Sequence, residues 1–386
     1  MSDFHEKLRD ALKSVGESFR PEDIAAKQRE FLYRRKRRRA AYAGGTLAFG
    51  AAVLAAVLFV TSGTTPVADK EPSPPAANPV PIITDVIRVG DGPSGIDVGS
   101  SGVWVANLNG DTVTRIDPTT NTVIDSVRVA DAPDDLAVGE DLVWVGDDPG
   151  AENSALFGSI SIVHGRSGEL IDSRLALTRE GQTESSLELG HIDLVANGND
   201  LWAVTEAVPG PKVFQGEGLG GSYEADGFSP REIAIDDDAV WAFDAAHERL
   251  SSFSLPNGSE GGFHPVADVP RLADSQNDDL AAGLGAVWLT QGGILARIDR
   301  DSGEITSRID LPGNFAALAL GEGYVWAMSA DSVDDSDLGW LTQIEPDTGK
   351  AIGEPLEIDG KPADVAVGGG AVWVTQHDAD TVTRIE

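Results

Sequence analysis

Seven times between residues 82 and 386 an aliphatic residue stands directly before a tryptophan: Val103-Trp104, Val143-Trp144, Leu201-Trp202, Val240-Trp241, Val287-Trp288, Val325-Trp326 and Val372-Trp373. These pairs use seven of the eight tryptophans. Eight residues before each Trp the position is aliphatic again: Ile96, Leu136, Leu194, Ile233, Leu280, Leu318 and Val365. Turn-formers follow, as in VGSSG, VGEDL and VGGGA. The repeat covers 305 residues, about 44 per copy, in the range of propeller blades. The first copy reads as four short strands, GIDVG, VWVANL, TVTRID and VIDSVRV. They are β-branched and alternating, and the breaks carry Gly, Asn, Asp and Pro. No copy holds a helix-length periodic run, which argues against a parallel βαβ sheet. The expected fold is all-β: a seven-bladed β-propeller of four-stranded antiparallel blades.

The last copy stops after three strands, at VWVTQHDADTVTRIE (372–386). The body begins with IITDVIRV (82–89), which matches the fourth strand VIDSVRV of the first copy. The N-terminal strand is therefore expected to complete the C-terminal blade and close the ring, which hides an otherwise open sheet edge.

The front of the chain has a different character. YRRKRRR (33–39) runs into residues 40–60, 21 residues without a charge. As a helix this stretch would be about 31 Å long, matching the ~30 Å hydrocarbon core. The cationic cluster on its N-terminal side predicts a single-pass transmembrane helix with residues 1–39 cytoplasmic and the rest outside. A cleaved signal peptide has a shorter apolar region and a basic region near the N-terminus. In the short basic tail, Phe4, Leu8, Leu12, Val15 and Phe19 recur at helical spacing. That stripe suits the inner leaflet or a partner protein. Residues 61–81 are proline-rich and read as an extended linker that leads into the propeller at 82–386.

Charge divides the chain in the same place. Residues 1–40 hold 12 basic and 7 acidic residues, and the remainder holds 17 and 56, a net of −39. So acidic a body argues against nucleic acid as a partner, because phosphates would be repelled. The absence of cysteine excludes disulfides, thiolate metal sites and lipid attachment at cysteine.

The stretch GPSGIDVGSSGVWVANLNGDTVTRIDPTTNTV (92–123) resembles the YVTN, NHL and virginiamycin B lyase-like superfamily of β-propellers, and the resemblance extends over 82–386. It implies the propeller fold and leaves function open, since that superfamily includes enzymes, sensors and adhesive surface proteins. The enzymes among them, the streptogramin B lyases, open a cyclic depsipeptide ester with a histidine base and an acid-held divalent metal. Their Trp-Phe-Thr-Glu pattern has its nearest counterpart in LWAVTE (201–206), one residue longer.

In a propeller the turns entering the innermost strand and those leaving the second strand share one face. Nine residues before the repeat Trp stand Gly95, Asp135, Asp193, Glu232, Asp279, Ala317 and Asp364. Just after it stand Asn107, Asp147, Asp148, Thr205, Glu206, Asp244, Gln291, Ser329, Gln376 and His377. Two readings fit. The acids form a ring that binds Ca²⁺, Mg²⁺ or a cationic ligand, or each bonds backbone N–H groups of its own or the next blade. Under a lyase-like reading His191, His247 or His377 is the base, with Asp193, Glu206 or Asp244 as metal ligands. Asp331, Asp335 and Asp337, in the acidic insertion DSVDDSDL (331–338), are further candidate ligands, although the glycine and distal Glu of an EF-hand are missing. His164 stands where the first copy has Asp117 and is expected to be structural. The stretches 177–190 and 211–228 are irregular, the second Gly-rich where two strands are due. The functional expectation is a membrane-anchored surface module that binds a protein or small ligand at the propeller mouth. The alternatives are a metal-dependent streptogramin lyase-like enzyme and an architectural envelope protein.

Overall fold

The structure is a computed structural model that describes residues 80–147, 159–176, 192–205, 208–215, 218–222, 230–255, 264–273, 278–313, 315–330 and 337–386. The tail (1–39), the apolar segment 40–60 and nearly all of the linker 61–81 lie outside these residues. So do Asp148, His191, Glu206, Asp331 and Asp335. Among the described residues no helix is long and apolar enough to cross a membrane.

The described residues form seven four-stranded antiparallel sheets, and the architecture is an all-β propeller of four-stranded antiparallel blades. The first complete blade runs outward through β2 (Pro93–Gly99), β3 (Gly102–Asn107), β4 (Thr112–Asp117) and β5 (Thr122–Arg128). The other innermost strands are β6 (Pro133–Val138), β10 (Ile192–Asn197), β14 (Glu232–Ile235), β18 (Asp278–Gly283), β22 (Phe315–Gly321) and β26 (Pro362–Gly368). Each packs on the next, and β26 packs on β2.

The tryptophan repeat is the cause of this stacking. Residues alternate between the two faces of a strand, and both faces of a blade meet a neighbour. Second strands are therefore mostly apolar and buried, and β3 is buried from end to end. Trp104 packs with Val113 and Val129 of its own blade and with Leu136, Val143 and Val163 of the next. Trp373 does the same with Ile96, Val98 and Val103 across the seam. Outermost strands have one neighbour fewer, and β5 is exposed along most of its length.

At the seam, β1 (Ile83–Arg88) pairs antiparallel with β28 (Thr381–Ile385) in the order β1-β28-β27-β26, where β27 is Ala371–Gln376. Val86 lies opposite Thr383 and Ile87 opposite Val382. The ladder continues through Ile82 and Glu386, whose amides and carbonyls exchange bonds of 2.8 and 3.0 Å. The donated strand expected from the sequence is in place. The described part of the Gly-rich stretch is more regular than its sequence suggests: β12 (Val208–Gln215) pairs with β13 (Gly218–Ser222). Glycine is cheapest in an outermost strand, where no side chain has to be packed.

Candidate ligand-binding face

Strand register puts the start of each innermost strand beside the end of the second strand. Pro93 pairs with Asn107, Pro133 with Asp147, Asp278 with Gln291 and Pro362 with Gln376. The two sets of polar positions therefore share one face, as expected.

The acids of the first set are buried between blades. An Oδ2 of Asp135 accepts from the amide of Leu194 at 2.9 Å, Asp193 from Ile233 at 2.8 Å, Asp279 from Leu318 at 2.8 Å and Asp364 from Ile96 at 3.0 Å. In each case the acid of one blade bonds the amide of the aliphatic residue that stands eight before the repeat Trp in the next blade's inner strand. The geometry follows from the pleat: Leu136 faces the preceding blade, so its neighbour Asp135 faces the following one. Glu232 is likewise buried in the fourth blade. Gly95 has no room for an acid, because a Cβ there would lie 2.6 Å from the carbonyl oxygen of Asp134.

The second set ties the face together. Asn107 donates to Thr112 and Thr114 hydroxyls and accepts from the amide of Gly90. Gln376 accepts from Thr381 and Thr383 at 2.8 and 2.6 Å and donates to the carbonyl of Asp359. Gln291 accepts from the amide of Leu272. Asp147 accepts from the hydroxyl of Ser159 at 2.7 Å. Asn107, Asp147 and Gln376 tie the end of the second strand to the third. Asn107, Gln291 and Gln376 hold the connection arriving from the preceding blade.

The histidines divide. The Nδ1 of His164 accepts from the amides of Arg166 and Ser167, the role a carboxylate plays at Asp117 and Asp299, so it is structural as expected. His247 lies on the candidate face, its side chain 56% exposed, with Nδ1 2.9 Å from the buried Oδ2 of Asp244. His377 contacts Asp378 at 2.9 Å, and Asp378 also pairs with Lys361 at 3.3 Å. Burial works against the charge of Asp378, but the His377 hydrogen bond and the Lys361 charge outweigh it and hold the carboxyl below its ordinary value. Around Gly92, a left-handed residue with no space for a Cβ, lie Asn109 and the Nε2 of His377. Asn109 and Lys361 were not picked out by sequence reasoning. Their only signal is the left-handed backbone at Gly92 and Lys361, which a sequence shows at glycine alone. Asp337, in the sixth blade, touches this group through its backbone: its carbonyl accepts from the amide of Lys361 at 2.7 Å. Among the described residues no three His, Asp or Glu side chains are grouped to hold a metal.

No family model matches the chain, and no curated protein does. Solved structures do. Virginiamycin B lyase from Staphylococcus aureus is similar at 16% identity and a TM-score of 0.57 over 78% of this chain and 98% of that one. Hydrazine synthase from Kuenenia stuttgartiensis is similar at 14% identity and a TM-score of 0.53 over 78% and 96%. A computationally designed protein, Ika8, is similar at 13% identity and a TM-score of 0.51 over 77% and 98%. At such identities the likeness is one of fold.

Proposed function

We propose that the chain is a single-pass membrane protein whose extracytoplasmic, seven-bladed propeller binds a protein or small ligand on the face carrying Asn107, Gln291 and Gln376. The blade number is supported by the seven sheets and by the unbroken circuit of inner-strand contacts. The anchor is supported by the uncharged segment 40–60 behind its arginine-rich flank.

The observation that carries a binding role is the use made of the conserved-phase acids within the repeat. Asp135, Asp193, Asp279 and Asp364 hold neighbouring blades together. The solvent-reaching polar groups of the face are hairpin and connection residues: Asn109, His247, Lys361, His377 and Asp378. A rigid ring that displays varied polar loops is built for recognition. Hard-cation binding by Ca²⁺ or Mg²⁺ at Asp337 and the acidic insertion around it belongs to the same proposal.

A lyase-like reading is favoured by one pair. In Asp244–His247 a buried carboxylate orients an exposed imidazole, the arrangement a general base needs. The two readings separate in one assay. The detergent-solubilised full chain is incubated with a cyclic depsipeptide and Mg²⁺, and ring opening is followed by mass. Absence of turnover with a Ca²⁺- or ligand-induced rise in melting temperature supports binding. Turnover that is lost in His247→Ala or His377→Ala replaces it with the lyase reading. An architectural protein responds to neither.

A further inference from the structure

Among the described residues the exposed aliphatic side chains are concentrated at one place on the rim of the body. Ile82 and Ile83, Val123 and Ile124, and Leu170 and Ile171 are between 36% and 58% exposed. They open the outermost strands of three consecutive blades: β1, β5 and β9 (Leu170–Ala176). Register places them at one height. Ile83 pairs with Ile385, Val123 with Ile116 and Leu170 with Val163, each the last apolar residue of its third strand. That is the end of the barrel opposite the candidate binding face. The three outer strands abut, with β1 packing on β5 and the turn at Gly168 closing on Asp125.

The hairpins of the two blades flanking the seam, 99–102 and 368–370, contain no charged residue, whereas that of the following blade carries Glu140 and Asp141, and the outer turns beside the row carry Asp117, Arg166 and Glu169. Across the ring the corresponding hairpin is Asp236, Asp237 and Asp238, and the next blade's outer turn carries Asp299, Asp301 and Glu304. The chain also joins the ring here: Val80, 77% exposed, stands two residues before Ile82. The apolar segment 40–60 ends only the length of the linker before it.

We infer that this rim, formed by the blades on either side of the seam and the one after, seats the propeller on the bilayer from which the chain emerges. The inference rests on the anchor reading of residues 40–60. Lipid is the occupant that fits, because the row is shallow and aliphatic and sits where the tether attaches. An extended tether of this length reaches roughly 60 Å at about 3.1 Å per residue, so the tether alone does not hold the ring down. It does keep the rim at high effective concentration near the surface, where even a weak apolar contact is occupied. Amphipathic surfaces bind the interface in this way, through buried apolar area. The acidic hairpins tilt away from the headgroups, and the candidate binding face points outward.

The chain has no cysteine, so single reporters can be introduced. Ile124→Cys and Leu170→Cys report the rim, Asp237→Cys the acidic side and Asn109→Cys the opposite face. Each full-length variant is labelled with an environment-sensitive fluorophore and reconstituted into phosphatidylcholine vesicles containing a spin-labelled lipid quencher. The expected result is a blue shift and loss of fluorescence at 124 and 170, with no change at 237 and 109. Equal quenching at all four sites in chains that stay with the vesicles through alkaline washing overturns the seat and leaves the anchor standing. Release by alkaline washing removes the anchor, and the seat with it. Shielding at 124 that appears only at high protein density, with disulfide formation between copies, makes the rim a self-contact and overturns the bilayer seat.

Discussion

At the scale of single residues, the carboxylate staples are the most consequential contacts. Asp193 sits in a buried position and accepts from the Ile233 amide at 2.8 Å. Removing the acceptor leaves a buried N–H without its partner, at a cost of about 1–3 kcal/mol. Asp193→Ala is therefore expected to lower stability by about that amount in urea unfolding. Asp193→Asn keeps a carbonyl oxygen in reach and should lose less. A metal-ligand role would instead leave the apo protein's stability nearly unchanged on either substitution. The turn carboxylates give a second prediction. Backbone amides of Thr119 at Asp117, and the Ser302 amide and hydroxyl at Asp299, hold both carboxyls below their ordinary value. A depressed folded pKa stabilises the protein above the unfolded value, and the contribution disappears as pH falls through the folded one. Carbon-detected titration should find both midpoints below the usual aspartate range, near 3.9. The melting temperature of Asp117→Asn should fall less steeply than wild type on acidification through that window.

At the scale of one element, the polar residue that ends each second strand decides how well its hairpin is capped. Asn107 and Gln376 reach the hydroxyls of Thr114 and Thr383 in their third strands. In the sixth blade this position is Ser329, which donates to the carbonyl of Trp340 at 3.4 Å. The corresponding hydroxyl, Thr342, is buried and has no hydrogen-bond partner among the described residues. Ser329→Asn should supply one and raise stability by roughly 0.5–1.5 kcal/mol in denaturant unfolding, the net worth of one such bond. A loss of stability would mean the longer side chain does not fit. This level also marks how far sequence reading reaches. The identity and phase of Asp135, Asp193, Asp279 and Asp364 were legible, and so was the face they share with Asn107 and Gln376. Their bonding to backbone amides of the next blade was one of the two readings the sequence offered, and the structure bears it out; deciding between the two took the angle between adjacent blades, which a repeat pattern does not fix. Gly95 shows the same gap. Its departure from the acidic pattern looks like drift until the approach of Asp134 gives the steric reason.

At the scale of the whole molecule, one covalent break must be hidden in an otherwise continuous ring. Closure was legible because the donated strand keeps the sequence of the strand type it replaces, so 82–89 could be matched to VIDSVRV before any contact was known. The seam has more holding it than the ladder. Ile87 is buried in the cluster of Trp373, Ile96 and Val103, which joins the last blade to the first. The carboxylate of Asp364 reaches across the same junction to the Ile96 amide. Apolar packing and the inner staple therefore oppose opening from the axis, while β1 opposes it from the rim. Self-repulsion among the surplus acids of the body pushes the other way and is weakened by salt. Deleting residues 82–89 from the full chain removes Ile87 from that cluster and leaves β28 as a bare edge, open to pairing with other chains. The variant is expected to unfold at a lower temperature than wild type, to be cut by protease near its C-terminus, and to self-associate on warming. Salt should recover part of its melting temperature by screening the acids, and should not restore protease resistance, since screening supplies no strand to β28. Wild-type heat and protease resistance in the deletion would mean that the inner-strand circuit holds the ring unaided.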